Sequence, residues 1–170
     1  MILTARADGI YRAAALSPDR VYRYQLLRRW GSLATTVGFV CLNPSTADAE
    51  VDDQTVRKCM RLARRLGASA LMIGNLFAYR STDPSRLRLV DDPVGPDNDR
   101  WLDHVVDAST LVIAAWGCRG ALLGRAQAVT ERYAGKLHAL RLTRSGEPCH
   151  PLYLPENLTP FLVCAKGVTR

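Results

Sequence analysis

The stretch Thr36-Val37-Gly38-Phe39-Val40-Cys41-Leu42, followed at once by Asn43-Pro44-Ser45-Thr46-Ala47-Asp48, decides the fold. Its first seven residues form a short apolar run rich in β-formers, the signature of a buried strand. Pro44 cannot donate to a β-ladder, so the strand stops there. Downstream, Asp52 or Asp53 can cap a helix with apolar positions at Val56, Cys59, Met60, Ala63 and Leu66, a stripe of 3.6-residue period. Arg57, Arg61, Arg64 and Arg65 take its outer face, and Gly67 closes it. A strand, a polar turn and an amphipathic helix in that order make the first unit of an α/β fold.

The same alternation continues outward. A second buried strand reads over Ala70 to Leu76, and Asp97 opens a helix that turns Trp101, Leu102 and Val105 inward. Thr110 to Trp116 is the third strand, stopped by Gly117. A helix with Leu122, Ala126, Val129 and Tyr133 follows, and then a fourth strand over Lys136 to Leu142. Four strands separated by helices require right-handed crossovers and a parallel sheet covered on both faces. The expected architecture is a three-layer α/β/α sandwich around a four-stranded parallel sheet. Upstream, Ile10 to Leu16 and Val21 to Trp30 flank Ser17-Pro18-Asp19-Arg20 and read as a β-hairpin, with helix an alternative for Tyr24 to Arg29. The chain reads as one domain over 1–170, with the hairpin at about 9–30 and the α/β core at about 35–165.

Composition bounds the function. The 170 residues are 48% hydrophobic and 23% charged, which excludes an intrinsically disordered or collagen-like chain. No apolar run approaches the roughly 20 residues of a membrane span, and Arg6 and Asp8 interrupt the N-terminus before a secretory signal can form. The five cysteines, at 41, 59, 118, 149 and 164, are odd in number and lack a C-x-x-C pair. That pattern suits reduced thiols in a cytoplasm and not a disulfide framework or metal centre. Twenty-three Lys and Arg against sixteen Asp and Glu leave a net charge of +7, which favours polyanionic partners.

Ligands of open α/β sheets bind at the carboxyl ends of the strands. Asn43, Asn75, Trp116 and His150 should therefore line one edge of the sheet. The first segment, Asn43 to Asp48, reads either as a plain turn or as a site, with backbone N–H groups for an anion and an amide to fix a water. Pro44, Ser45 and Thr46 belong to that substrate-binding turn. Asn75 ends an apolar strand, where its amide is costly unless paired; a carboxamide also matches the donor–acceptor edge of a nucleobase. Phe77, Tyr79 and Arg80 follow and can stack on a base or clamp a phosphate, or serve as plain core. Trp116 packs at its strand end, and Gly117 permits a sharp turn or a close ligand approach. His150, held between Pro148 and Pro151, can donate a hydrogen bond to a developing oxyanion or simply cap a carbonyl.

These motifs carry two resemblances. Arg23-Tyr24 with Arg29-Trp30, Leu42 to Asp48, Asp52-Asp53-x-Thr55, Asn75 to Arg80, Gly95-x-x-Asn98-Asp99, Trp116-Gly117 and His150-Pro151-Leu152-Tyr153 resemble a bacterial and phage family of unknown function. In strand order and strand-end motifs the chain also resembles the uracil-DNA glycosylase superfamily. That resemblance implies a glycosylase-like sandwich, a base-reading Asn75, a water-positioning Asn43, a base-stabilising His150, and Leu152 near the place of a residue that wedges into DNA. The implied reaction is N-glycosidic hydrolysis on nucleic acid or a nucleoside, with Asp48 as an assisting carboxylate and neither metal nor cofactor. Two other readings stay open: a non-catalytic nucleotide- or nucleic-acid-binding module, and a phosphoesterase holding Mg²⁺ on Asp48, Asp52 and Asp53.

Overall fold

The computed structural model describes residues 1–31 and 35–163. Cys164 and residue 165, the end of the expected core, lie outside the described residues. Eight strands form one sheet: β1 (Ile2–Ala7), β2 (Ile10–Leu16), β3 (Arg23–Arg29), β4 (Thr36–Cys41), β5 (Ala70–Asn75), β6 (Leu111–Ala114), β7 (Leu137–Ala139) and β8 (Phe161–Leu162), in the spatial order β1-β2-β3-β5-β4-β6-β7-β8. The central four, β5-β4-β6-β7, run parallel, with Val37 opposite Leu71 on one side and Leu111 on the other.

The sheet itself departs from expectation. It is not a four-stranded parallel sheet with a separate hairpin but an eight-stranded mixed one. β3 pairs antiparallel with β5 through Leu26–Ile73 and Leu27–Met72, so the β2–β3 hairpin extends the core sheet. The alternative helix over Tyr24 to Arg29 is therefore a strand, because its backbone groups are shared with two neighbours. β1 adds a further antiparallel edge on β2, and Phe161–Leu162 pairs with β7 in the proline-spaced tail. The fourth parallel strand is shorter than the apolar run suggested, three residues rather than Lys136 to Leu142.

Helices α1 (Gln54–Arg65), α2 (Asn98–Asp107) and α3 (Arg125–Arg132) cover both faces. Val37, Phe39, Leu71, Ile73 and Ile113 share one buried cluster with Val56, Cys59, Leu62 and Ala63 of α1. The alternate residues Val40, Val112 and Ala114 share another with Leu102 and Val106 of α2 and Ala126 and Val129 of α3. Period-two side chains thus feed two cores, and three layers result. Asp53 caps α1, its Oδ1 accepting from Val56 N at 2.8 Å, whereas Asp52 is taken by arginines of the sheet. The third helix begins at Arg125 rather than Leu122, because Leu122 is extended and Leu123 and Gly124 have positive φ. Among the described residues no helix is long and apolar enough to cross a membrane.

Candidate functional site

A cavity of about 370 Å³ opens at the carboxyl ends of the parallel strands. Asn43, Ser45, Asn75, Trp116, His150 and Leu152 all line it. The strand ends converge because β4 and β5 stop in register, Cys41 opposite Asn75, and their continuing chains stay paired through Leu76 N to Cys41 O at 2.8 Å and Phe77 N to Leu42 O at 3.0 Å.

Asn75 is 1% exposed, and neither its Nδ2 nor its Oδ1 has a hydrogen-bond partner among the described residues. Leaving such groups unmade costs about 1–3 kcal/mol each. Its backbone is held in place by Asn98, buried at the start of α2, whose Nδ2 donates to the carbonyls of Asn75 and Leu76 at 3.0 Å each. The main chain that carries the amide is thus held, and the buried amide itself is uncommitted among the described residues.

Asn43 presents a different face. Its Nδ2 donates to Pro44 O at 3.0 Å and Ser81 O at 2.8 Å, so both N–H groups are used and Oδ1 remains as an acceptor. His150 opens a short 3₁₀ turn, where its Nδ1 accepts from Leu152 N at 3.4 Å. A neutral imidazole accepting at Nδ1 carries its proton on Nε2. Burial pushes the His150 pKa below its ordinary value, with the Asp53 carboxylate pulling the other way. The His150 segment is pinned to the third parallel strand: Trp116 Nε1 donates to Glu147 Oε2 at 2.9 Å, and Gly117 N to Pro148 O at 2.7 Å. Gly117, at φ 70°, makes a left-handed turn beside His150, where a Cβ at position 117 would lie 3.8 Å from the His150 Cβ.

Other expected residues lie elsewhere. Phe77 is fully buried in the core beneath α2, and Tyr79 packs at its margin, edge-on to Tyr22. Arg80 donates to Arg20 O at 3.3 Å. Pro44 and Thr46 shape the turn without lining the cavity; Pro44 O also accepts from Ser81 N. Asp48 is likewise outside the lining, its Oδ1 accepting from Glu50 N and Val51 N at 2.9 and 3.0 Å. The three carboxylates of the Mg²⁺ reading have three separate tasks, since Asp48 closes a turn, Asp52 pairs with Arg12 and Arg28, and Asp53 caps α1. Among the described residues no three His, Cys, Asp or Glu side chains cluster as a metal site.

Two lining residues stand out that strand-end reasoning did not select. Asp53 contributes a carboxylate to the cavity wall beside its capping role, and Arg23 contributes a guanidinium. Arg23 is 3% exposed; its Nη1 donates to Ala47 O at 2.7 Å, while its Nε has no partner among the described residues. The arginines of the outer face of α1, Arg57, Arg61, Arg64 and Arg65, are exposed as expected, but several of them fold back onto the protein. Arg61 and Lys58 pair with Glu156 at 2.7 and 3.2 Å, Arg65 bonds Glu156 O, and Arg64 lies 4.9 Å over the Trp30 ring.

No curated protein and no solved structure matches this chain. A family model does, over residues 23–152, which spans every strand-end segment of the cavity from Arg23 to Leu152. The chain belongs to the family described as Protein of unknown function (DUF1643).

Proposed function

We propose that the cavity recognises a nucleobase and that the protein is an N-glycosidic hydrolase of uracil-DNA-glycosylase type, acting on nucleic acid or a nucleoside. The observation that carries this reading is the Asn75 amide: buried, carried on a held main chain, and with donor and acceptor both unpartnered among the described residues at a cavity wall. A carboxamide in that state is complementary to the paired donor and acceptor of a base edge. The order of the parallel strands and the position of the motifs at their ends support the fold analogy, which by itself carries no activity.

The remaining residues fit the chemistry. Cleavage of the bond leaves an oxocarbenium-like sugar and a departing base anion. His150, neutral with its proton on Nε2, supplies a hydrogen bond to an oxygen of that base without first losing a proton. Asn43 Oδ1 is an acceptor that orients the attacking water. Asn43 is no base, so the reaction is strongly dissociative, and Asp53 takes the assisting-carboxylate role in preference to Asp48, because Asp53 lines the cavity and Asp48 does not.

The test is release of free base from single- and double-stranded oligonucleotides and from nucleosides, with EDTA present. Base release that survives EDTA and is lost in His150→Ala supports hydrolysis. Tight binding of a base without release, across a broad panel, leaves a binding module instead.

A further inference from the structure

We infer that the ligand of this cavity carries an anionic oxygen group, a carboxylate or a phosphate, and that Arg23 receives it. The inference rests on the cavity being a ligand site, as proposed above, but not on which base enters or whether a bond is cleaved.

Arg23 is a guanidinium almost wholly withdrawn from solvent. A buried cation ordinarily requires an anion at hydrogen-bonding distance, since desolvation is otherwise uncompensated. Other buried arginines of the sheet obey that rule. Arg28 and Arg12 both reach Asp52, at 2.7 and 3.1 Å. Arg23 does not: among the described residues it forms no ion pair, and of its five N–H donors one finds a carbonyl, that of Ala47. Among the described residues its buried Nε has no partner, as is also true of Arg12 Nε, so the difference between the two lies in the ion pair. Burial lowers its pKa to about 10, so it stays protonated at neutral pH.

The surroundings suit an anion. Among the described lining residues Asp53 is the one carboxylate, and its Oδ1 is taken by the N-terminus of α1. Among charges, the Asp53 carboxylate acts most strongly on Arg23 and favours its cationic form without an ion pair to it, while Arg80 and Arg28 add positive potential there. Ser45, Thr55 and Thr82 line the same cavity with hydroxyls that can donate to oxygens a planar guanidinium leaves free, whereas the Ser81 hydroxyl is already given to Asp83 O at 2.8 Å. Arg23 and Asn75 are both wall residues of one space of about 370 Å³. One small ligand can therefore set a base edge on Asn75 and an anionic oxygen on Arg23.

Two sources of the anion are separable by experiment. Affinities are measured calorimetrically for uracil against 5-carboxyuracil, for 2′-deoxyuridine against its 5′-monophosphate, and for inorganic phosphate alone. The expected result is that at least one anionic probe binds tenfold or more tighter than its neutral parent. A gain confined to 5-carboxyuracil assigns the anion to the base; a gain confined to the monophosphate or to phosphate assigns it to the backbone or sugar ester. Arg23→Gln should erase the gain, and Arg23→Lys, which keeps the charge but not the fork, should retain part of it. Melting curves of both variants check folding, and the wild-type comparison decides the matter if either unfolds. Equal binding of neutral and anionic probes, an anionic gain that survives in folded Arg23→Gln, or no anionic binding at millimolar concentration overturns the inference. Phosphate binding that depends on Arg23, with no base bound at all, upholds it while removing the base-recognition reading.

Discussion

Arg28 and Arg23 lie five residues apart on β3, both withdrawn from water, yet their surroundings are opposite in kind. Around Arg28 polar groups are matched. Its Nε meets Asp52 Oδ1 at 2.8 Å, its Nη1 meets Leu27 O at 2.9 Å, and its Nη2 meets Asp48 O. Asp52 also receives Arg12 at 3.1 Å, which ties the loop before α1 to the hairpin strands. Arg23 and Asn75 line a cavity, and among the described residues the buried Arg23 Nε and both polar atoms of the Asn75 amide have no partner. Satisfied burial holds a fold together, while unsatisfied burial at a rigid wall is tolerated where something else completes it. The first region is therefore read as architecture and the second as a site.

The largest effect expected belongs to the architectural region. Asp52→Ala strands two guanidiniums and should lower stability by about 3–5 kcal/mol, measured by urea unfolding. If the loss is under 1 kcal/mol, the contrast between the regions collapses. His150→Ala should reduce base release by about 10²–10³-fold with the unfolding midpoint nearly unchanged, as for loss of an oxyanion donor. Equal losses of activity and stability would make His150 a structural cap of its 3₁₀ turn and nothing more. Asn75→Ala should cost about 1–3 kcal/mol in discrimination among bases, seen as ratios of kcat/KM. Stability should be held or slightly raised, since two unpartnered polar atoms are removed.

A smaller effect comes from pH. The His150 pKa is lower in the folded chain than in the unfolded one, where it takes its ordinary value of 6.5. The unfolded state therefore binds more protons between the two values. This group's stabilising share is complete above about 6.5 and falls as pH drops toward the folded value. Base release should fall over the folded-state titration, as the imidazole becomes cationic and loses its neutral-donor character. A pH profile unchanged by His150→Gln would remove His150 from the chemistry.

Much of this arrangement was legible in the chain. The apolar runs at 36–42, 70–76 and 110–116 read as strands because burial on both faces leaves no alternation to confuse the period. The helical stripe from Val56 to Leu66 was equally plain. Asn43, Asn75, Trp116 and His150 could be brought to one edge from the strand-end rule alone. The antiparallel join of β3 to β5 could not, because pairing between residues 26 and 73 leaves no local signal. β1 escaped notice since Ile2–Ala7 is mostly exposed and carries Arg6 on an edge. Arg23 entered only as part of a family-like motif with no role of its own, and Asp53 as a helix cap, which it also is. Only the folded context distinguishes a cation with a partner from one without.

The most direct test observes the two regions together. In a ¹H–¹⁵N spectrum, the Asn75 Nδ2 signals, assigned by their loss in Asn75→Ala, and the Arg28 Nε–H signal are followed while free bases and deoxynucleosides are titrated in. At least one of these ligands should shift the Asn75 amide saturably and leave Arg28 unmoved. An Asn75 amide indifferent to every base and nucleoside, or one that moves only in step with Arg28, contradicts the claim that the cavity is a nucleobase site.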